Sequence, residues 1–245
     1  MKILGIDIGG SGIKGAIVET RTGTLTSERL RLDTPSDSTP SQVARVVAEL
    51  VTLHRWKGKI GCTFPGVIQH GIIYSAANLN KTWVGVNGET LLRRKTGCAV
   101  HLLNDADAAG IAEMQFGAGK NKMGVVLILT FGTGIGSALF IDGKLVPNTE
   151  LGHIELRGKD AESRAAARIR TEKSLSWEDW AARVNEYLTQ IEKLFSPDLI
   201  IVGGGVSKRA DAFLPLLETR ARIVPARLRN DAGIVGAALA AANYR

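Results

Sequence analysis

A glycine-rich segment near the start of the chain has the residue types of a phosphate-binding turn. It reads DIGGSGIK over residues 7–14, between two apolar stretches. Glycines let backbone N–H groups approach an anion closely, and successive N–H groups in a turn form an anion-binding nest. We therefore predict a phosphate site here, with Asp7 also placed to hold Mg²⁺ through water; the alternative is a tight hairpin without a ligand. The predicted residues are Asp7, Gly9, Gly10, Ser11, Gly12 and Lys14.

A second copy of this turn begins about half a chain later. The segment TFGTGIGSA covers residues 130–138, and a constant offset of 132 − 10 = 122 residues places it on the first copy. Two nests on equivalent hairpins of two lobes can hold one chain of phosphates between them. The second nest is therefore predicted to bind phosphate through Gly132, Thr133 and Gly134.

A third glycine cluster follows the apolar stretch LIIV at 199–202 and consists of Gly203, Gly204 and Gly205. In open α/β sheets, strand ends of this kind line the ligand crevice, so this turn is predicted to lie near the phosphate donor. The cluster is too short for the dinucleotide-binding fingerprint, which argues against an oxidoreductase.

The segment LNDADAAG at 103–110 runs from a predicted strand into a helix of small residues. Taken alone, Asp105 has the position of a helix N-cap. Beside phosphate-binding turns, its carboxylate can instead accept the proton of an attacking hydroxyl, which is the base role in phosphoryl transfer. Asp107 is expected to satisfy backbone N–H groups instead.

Other polar residues have the spacing to bind a polyol. Glu150 and His153 lie three residues apart, so on a turn they can converge on neighbouring hydroxyls. Asn78 is a further candidate hydroxyl ligand, and Trp83 a candidate apolar wall. The alternative for His153 is a core residue with satisfied hydrogen bonds.

The hydrophobic pattern predicts the elements that position these residues, and strands mixed with helices indicate an α/β architecture. Ser176 and Asp179 have capping-box spacing before an apolar stripe that we expect to be core. Strands are predicted at 2–8, 13–19, 59–64, 71–75, 99–103, 124–131, 135–141 and 198–202, and helices at 40–55, 105–116, 160–172, 176–194, 208–219 and 232–242.

The composition indicates an ordinary globular protein with a basic balance. Lysine and arginine number 31 against 24 acidic residues, which gives a net charge of +7 and a pI near 9.6. Polyanions are therefore plausible partners. No nucleic-acid-binding motif is present, so a phosphate-bearing molecule is the preferred partner and nucleic acid is not expected. The alternative is a merely basic surface.

Cys62 and Cys98 lie in apolar segments, without a CxxC or Cys/His cluster, which favours a reducing cytoplasm. The N-terminus lacks the pattern of a signal peptide, and no apolar stretch of about twenty residues suggests a membrane span.

Basic residues are concentrated in two groups that are predicted to bind a long polyanion. Arg164 and Arg168 share one face if 160–172 is helical. The alternative is that both groups are solvated faces, partly matched by Asp160, Glu162 and Glu172. The groups are Arg157, Lys159, Arg164, Arg168, Arg170 and Lys173, and then Arg220, Arg222, Arg227 and Arg229.

Together these segments resemble the ROK family of sugar kinases, and most closely its polyphosphate glucokinases. The resemblance runs essentially end to end. It implies an actin-like, ribonuclease H-like α/β fold with two lobes and a duplicated βββαβα-type core. The first lobe is expected to span 1–110 and the second 111–245, with helix 232–242 packing back on the first. The strongest matching pieces are DIGGSGIKG, LNDADAAG, TFGTGIGSA, PNTELGH and VGGG.

The resemblance also implies roles for individual residues. Asp105 matches the catalytic base, which takes the proton of the 6-hydroxyl of glucose. Glu162 matches a further sugar ligand, with Glu155 as its rival. The implied donor is polyphosphate or ATP with Mg²⁺, in a cleft between the lobes of a homodimeric enzyme; the preferred donor and the acceptance of mannose stay open. The other implied sugar ligands are Asn78, Asn104, Glu150 and His153.

One departure from the family pattern is informative. Most ROK members have a cysteine-rich zinc loop shortly after the Gly-His pair, whereas this chain has no cysteine there, as in the polyphosphate glucokinases. We therefore expect no structural zinc. The alternatives are a strictly ATP-dependent ROK hexose kinase, a regulator that binds sugar without catalysis, and an actin-like assembly protein. Asp105 and the sugar-facing residues favour an enzyme.

Overall fold

The computed structural model describes residues 1–244, which form two compact units. The first contains Met1–Ala112 together with the C-terminal segment that starts at Asp231, and the second contains Glu113–Asn230. Each unit has its own sheet and its own hydrophobic core. No helix within residues 1–244 combines the length and the apolar character needed to cross a membrane.

The first sheet has six strands, and its central strands are parallel. The elements up to residue 116 are β1 (Lys2–Ile8), β2 (Gly12–Glu19), β3 (Thr24–Leu25), β4 (Leu30–Asp33), α1 (Pro40–Leu53), β5 (Ile60–Phe64), β6 (Ile68–Gln69), β7 (Ile72–Ile73), α2 (Gly88–Thr96), β8 (Val100–Asn104) and α3 (Asp105–Phe116). The strand order is β3-β2-β1-β5-β8, with β4 also paired to β2, and β6 and β7 form a separate hairpin.

The second sheet has five strands in the order β11-β10-β9-β14-β15, and β12 pairs with β13 in a separate hairpin. The remaining elements are β9 (Val125–Phe131), β10 (Ile135–Ile141), β11 (Lys144–Val146), β12 (Glu155–Leu156), β13 (Lys159–Asp160), α4 (Glu162–Ala165), α5 (Ala167–Glu172), α6 (Trp177–Phe195), β14 (Leu199–Gly203), α7 (Ala210–Phe213), β15 (Arg222–Pro225) and α8 (Ala232–Asn243). Short 3₁₀ segments cover Lys81–Trp83, Leu151–His153, Gly205–Arg209, Leu214–Leu216 and Arg229–Asp231.

The two sheets repeat one topology. In each, an antiparallel hairpin (β1–β2 or β9–β10) is followed by two parallel strands on the side of its first strand. The turns differ in length, because Ile8 pairs with Ile13 whereas Phe131 pairs with Ile135. The second turn is therefore one residue shorter, and the constant offset of 122 residues holds only for the strands after the turns.

Helix α8 packs against β1, β5 and β8 of the first sheet. Glycines allow this close approach. A Cβ atom at Gly5 of β1 would overlap the carbonyl oxygen of Ile234, and one at Gly61 of β5 would overlap that of Ala237. The helix backbone therefore lies directly on the sheet, where any larger residue would collide with it.

The longest helix, α6, follows its sequence pattern. The Ser176 hydroxyl accepts a hydrogen bond from the Asp179 N–H at 3.0 Å and so caps the helix. The apolar stripe packs into the core of the second unit, as predicted, and its buried members are Trp180, Val184, Leu188 and Ile191.

Several predicted elements were wrong in extent. The predicted helix 160–172 is interrupted at Ala166, whose ψ of 151° is extended, so Arg164 and Arg168 belong to different helices. At the break, the Trp180 indole N–H donates to the Ala165 carbonyl at 3.0 Å and lies 3.3 Å from the Ala166 carbonyl oxygen. The predicted helix 208–219 reduces to α7 between 3₁₀ turns, the second of which contains Pro215. Helix α2 and strand β15 were not predicted.

Candidate active site

Two neighbouring polar residues at the start of α3, Asn104 and Asp105, differ in burial and in hydrogen bonding. Asn104 is buried, and its side-chain oxygen accepts hydrogen bonds from the N–H groups of Ala106 at 2.8 Å and Asp107 at 3.0 Å. Asn104 therefore caps the helix. Asp105, the first helical residue, is exposed, although its Oδ1 also lies 2.9 Å from the Ala106 nitrogen. The N-cap interpretation of Asp105 was wrong by one residue, and its carboxylate remains open to solvent.

Asp7 and Asp105 come from the same edge of the first sheet. In the strand register, Asp7 lies beside Thr63, and Thr63 lies beside Leu103, two residues before Asp105. Two inter-strand spacings of about 4.8 Å therefore separate Asp7 from Leu103. The parallel strands bring these two carboxylates to one edge of the first unit.

The Asp7 carboxylate has two partners. Its Oδ1 accepts a hydrogen bond from the Thr63 hydroxyl at 2.8 Å, and its Oδ2 lies 3.6 Å from the Lys14 Nζ. The buried Thr63 hydroxyl also accepts the N–H of Ile8 at 3.1 Å. The carboxylate is thus held at the base of the first glycine-rich turn, with Lys14 next to it.

The first turn is a compact backbone loop. The Gly9 N–H donates to the Gly12 carbonyl at 3.1 Å, and the Thr34 hydroxyl donates to the Gly9 carbonyl at 2.6 Å. A Cβ at Gly10 would lie 2.9 Å from the Asn78 carbonyl oxygen, so the predicted sugar ligand Asn78 adjoins this turn. Asn78 and Gly10 are both exposed. The structure therefore brings two separately predicted sites together.

A cation at this turn was missed by the sequence analysis. Arg31 of β4 donates from Nη2 to the Ser11 carbonyl at 2.8 Å and from Nη1 to Asp33 Oδ1 at 2.7 Å. The side chain lies over Gly12, since a Cβ there would be 2.6 Å from the Arg31 Nε. The alternating pattern of β4, LRLD at 30–33, was the available signal, but only the pairing of β4 with β2 shows that Arg31 reaches the turn.

The second turn is contacted by neighbouring side chains and backbone. The Gly132 N–H donates to the Gly134 carbonyl at 3.0 Å, and the Arg168 N–H donates to the Gly132 carbonyl at 3.0 Å. Glu162 reaches the same turn, because its Oε2 accepts the Ile135 N–H at 3.1 Å and would be overlapped by a Cβ at Gly134.

Three carboxylates surround His153. The Asp160 Oδ2 lies 2.9 Å from His153 Nδ1, and the Glu150 Oε2 lies 3.9 Å from His153 Nε2. The hydrogen bond with Asp160, with further contributions from the charges of Glu162, Asp160 and Glu150, raises the pKa of His153. Burial raises the pKa of Glu150, and His153 opposes that effect.

Glu162 lies close enough to this cluster that the charge of its carboxylate raises the pKa of both Glu150 and His153. Glu155 is exposed on β12 and does not contribute to either shift. Of the two candidate residues, Glu162 is therefore the one whose charge acts on Glu150 and His153.

Buried Ser137 holds the segment that contains Glu150 and His153 against β10. Its hydroxyl donates to the Thr149 carbonyl and accepts the Leu151 N–H at 3.0 Å. A Cβ at Gly152 would overlap the Ile135 carbonyl oxygen, so the segment lies directly on the strand that follows the second turn. The sequence analysis did not assign a role to Ser137.

The third glycine cluster ends β14 beside β9. Gly203 pairs with Thr130, and Gly204 adopts φ +81° against the Phe131 backbone. Gly205 has open space around its Cα, since a Cβ there would meet no atom within 4 Å. The third turn thus adjoins the second phosphate-binding turn.

Trp83 does not form a wall for a ligand. Its side chain is fully buried, packs edge-on against Phe64 with ring centroids 4.9 Å apart, and donates its indole N–H to the Ser38 carbonyl at 3.0 Å. The expectation of an apolar wall was wrong because the aromatic ring is part of the core of the first unit.

Comparisons with known proteins agree with these features. The sequence pattern of the ROK family matches residues 3–168. A polyphosphate glucokinase of Mycobacterium tuberculosis is 52% identical over 237 residues, which cover 96% of this chain and 89% of that protein.

Solved structures show the same relationship. The inorganic polyphosphate/ATP-glucomannokinase from Arthrobacter sp. strain KM is 52% identical, with a TM-score of 0.92 over 98% of both chains. A ROK family glucokinase from Streptomyces griseus, in complex with glucose and AMPPNP, shares the fold with a TM-score of 0.85 over 100% of both chains at 22% identity. These matches confirm the predicted two-lobed α/β fold, and the chain belongs to the ROK family.

Proposed function

We propose that this chain acts as a polyphosphate-dependent glucokinase, which transfers a phosphoryl group from inorganic polyphosphate, and also from ATP, to the 6-hydroxyl of glucose. The observation that carries the proposal is the 52% identity with a polyphosphate glucokinase over 96% of this chain. The phosphate-binding turns and the cluster of hydroxyl-binding side chains support it.

Asp105 is the proposed catalytic base. Its carboxylate is exposed at the start of α3, where it can accept the proton of the sugar hydroxyl as that oxygen attacks the phosphorus atom. Asn104 fixes the position of Asp105 by capping the helix. The Asn104 amide group also donates to the Gly66 carbonyl at 3.2 Å, so its side chain is held firmly in place next to the proposed sugar site.

The other sugar ligands are proposed from both units. Asn78 is supplied by the first unit, and Glu150, His153 and Glu162 by the second. Carboxylate oxygens accept hydrogen bonds from sugar hydroxyls, while the imidazole can donate or accept. We propose that these residues bind the hydroxyl groups of the sugar.

The glycine turns are the proposed phosphate ligands, through backbone N–H groups and, at Ser11 and Thr133, hydroxyl groups. Lys14 and Arg31 add positive charge to the first turn. Such groups stabilise the charge on the transferring phosphoryl group, so catalysis rests mainly on positioning and electrostatics. The remaining proposed phosphate ligands are Gly9, Gly10, Gly12, Gly132, Gly134, Gly203, Gly204 and Gly205.

Asp7 fits the proposed role in holding Mg²⁺. Mg²⁺ usually keeps several waters and binds one or two carboxylates together with substrate phosphates, so a cage of protein ligands is not required. Asp7 presents a carboxylate that is partly exposed beside the first turn. When bound, Mg²⁺ would neutralise negative charge on the donor. Residues 1–244 contain no cluster of three or more His, Cys, Asp or Glu side chains that could hold a metal, and the lack of a structural zinc stays a prediction for elemental analysis.

Two further proposals follow from the family resemblance. The active enzyme is a homodimer, which light scattering on the purified protein would test. It works in the cytoplasm, where its two buried free thiols, Cys62 and Cys98, would stay reduced.

A coupled assay of glucose 6-phosphate formation tests the function. Purified protein with glucose should turn over with long-chain polyphosphate and with ATP, and mannose in place of glucose tests the acceptor range. Turnover with ATP but not with polyphosphate would support the alternative of a strictly ATP-dependent hexose kinase. Lack of turnover with either donor would contradict the proposal.

A further inference from the structure

A cavity of about 630 Å³ opens in the second unit beside the third glycine turn. Its walls include Ser207, whose hydroxyl donates to the Gly204 carbonyl at 2.8 Å. The volume is within the range of about 300–1,000 Å³ that is typical of small-molecule sites. The charged residues that line the cavity are Lys122, Lys208, Arg222, Arg227 and Arg229, with Asp211 as the one acid.

The five cations of this cavity are free to bind an anion. All five are exposed, and none of them forms an ion pair within residues 1–244. Three other basic residues of the same unit are already paired. Arg164 Nε lies 2.7 Å from Glu186 Oε2, Arg157 contacts the other oxygen of that carboxylate, and Arg220 lies 3.8 Å from Glu192. The cavity therefore brings five unpaired cations to one site.

A buried carboxylate fixes the walls of the cavity. Glu113 Oε1 accepts the N–H groups of Arg227 at 2.8 Å and Leu228 at 2.7 Å, and its Oε2 accepts the N–H of Ala118 at 2.8 Å. Glu113 thereby joins the turn after α3 to the loop after β15. The backbone that carries Arg227 is therefore held in place at the wall of the cavity.

The cavity adjoins the proposed phosphate path of this unit through Ser207. Gly203 pairs with Thr130, which directly precedes the second phosphate-binding turn, and Ser207 follows the third turn and lines the cavity. Neighbouring strands lie about 4.8 Å apart, which is short compared with an extended polymer of phosphates. A chain held at the second turn can therefore continue past Gly205 into the cavity.

We propose that this cavity binds the phosphates of a polyphosphate chain that extend beyond the units held by the glycine turns. The inference rests on the proposed function and assigns a site to the distal part of its donor. A nucleoside is disfavoured, since no residue that lines the described cavity is aromatic and nucleobases commonly stack on aromatic side chains. Long chains should therefore gain affinity from the cavity, whereas tripolyphosphate and ATP should not.

The test compares donors of different length. The double variant Arg222→Gln/Arg229→Gln removes two exposed charges from the cavity. We expect kcat/KM for long-chain polyphosphate to fall about five- to tenfold, as for the loss of two exposed charge contacts. The kcat/KM values for ATP and tripolyphosphate should change by less than about twofold, and so should the KM for glucose. The decrease of kcat/KM for long-chain polyphosphate with added salt should also become smaller in this variant, because fewer counterions are released on binding.

The matched control is Arg94→Gln/Lys95→Gln, which removes two exposed charges from the last turn of α2 and should leave all three donors unaffected. An unchanged rate with long-chain polyphosphate in the cavity variant would overturn the inference while leaving the proposed function intact. An equal loss with ATP would show that the cavity holds the nucleoside and would also overturn it. If the wild-type protein does not use polyphosphate, the proposed function fails and the inference fails with it.

Discussion

Asp105 is exposed because the residue before it has the capping role. The Asn104 side chain bonds two N–H groups of the first turn of α3, so the carboxylate of Asp105 is not needed to cap the helix. A base in phosphoryl transfer needs a carboxylate that a hydroxyl can approach. Asn104 therefore anchors the start of α3, and the proposed base Asp105 presents its carboxylate to solvent.

We predict that Asp105→Asn lowers kcat by about 10²–10⁴-fold and leaves glucose binding within about tenfold, because the lost group acts chiefly in the transition state. Coupled assays give kcat, and calorimetry with glucose gives the binding constant. Near-wild-type turnover by the purified variant would contradict the role of Asp105.

Asp160 is predicted to position His153 through its hydrogen bond to Nδ1. This bond is the largest cause of the raised pKa of His153. Because the folded-state pKa is raised, the stabilising contribution is fully present below the unfolded pKa of His153. It is lost as the pH rises through the folded-state value. Asp160→Asn should lower the pKa of His153 and move the pH dependence of the glucose KM to lower pH.

Titration of His153 by NMR, together with the glucose KM across pH, measures this effect. The control is Glu155→Gln, which alters a carboxylate opposite Asp160 in the same hairpin without being a cause of the pKa shift. An unchanged His153 pKa in Asp160→Asn would show that Asp160 does not position the imidazole.

At the scale of elements, the interruption of the helix at Ala166 gives the basic residues on either side of it different contacts. Arg164 in α4 is paired with Glu186, whereas Arg168 in α5 is exposed and its N–H group bonds to the second phosphate turn. A continuous helix would have placed both side chains on one face. Because of the break, Arg164 forms an ion pair while Arg168 lies at the second glycine turn.

We therefore predict that Arg168→Gln raises the KM for polyphosphate by about two- to fivefold, as for one exposed charge contact. The comparison variant Arg164→Gln should change that constant by less than about twofold, because Arg164 is already paired. Steady-state assays with saturating glucose measure both. Equal increases of the polyphosphate KM in the two variants would show that both arginines contact the donor, as the sequence first suggested.

At the scale of the whole molecule, the C-terminal helix α8 belongs to the sheet formed by the start of the chain. Its backbone lies on Gly5 and Gly61, which contact the Ile234 and Ala237 carbonyl groups. The packing of the first unit therefore depends on residues separated by most of the sequence. The β1–β2 and β9–β10 hairpins have no such dependence, since each joins two strands that are adjacent in the sequence.

Gly61→Ala should destabilise the protein by about 1–3 kcal/mol or more, because the added methyl group would overlap the backbone of α8 and force a shift. Urea unfolding measures the change. Gly205→Ala serves as the stability control, since a Cβ there meets no atom within 4 Å. A wild-type unfolding midpoint for Gly61→Ala would show that α8 can move aside freely.

The sequence by itself determined the duplicated turns, the strands that flank them, the capped helix α6 and the residue types of the phosphate and sugar sites. These features are local: glycine spacing, hydrophobic periodicity and capping residues act within a few positions of the chain. The family resemblance could be read from the same short segments.

The tertiary structure decided which residues meet. The burial of Trp83, the cap at Asn104 and the contact of Arg31 with the first turn each depend on partners from elsewhere in the chain. At the break beside Ala166, the Ala165 carbonyl likewise finds its hydrogen-bond donor in the Trp180 indole of another helix. Sequence periodicity does not contain such pairings, because strand register and the packing of one element on another are set by the folded core as a whole.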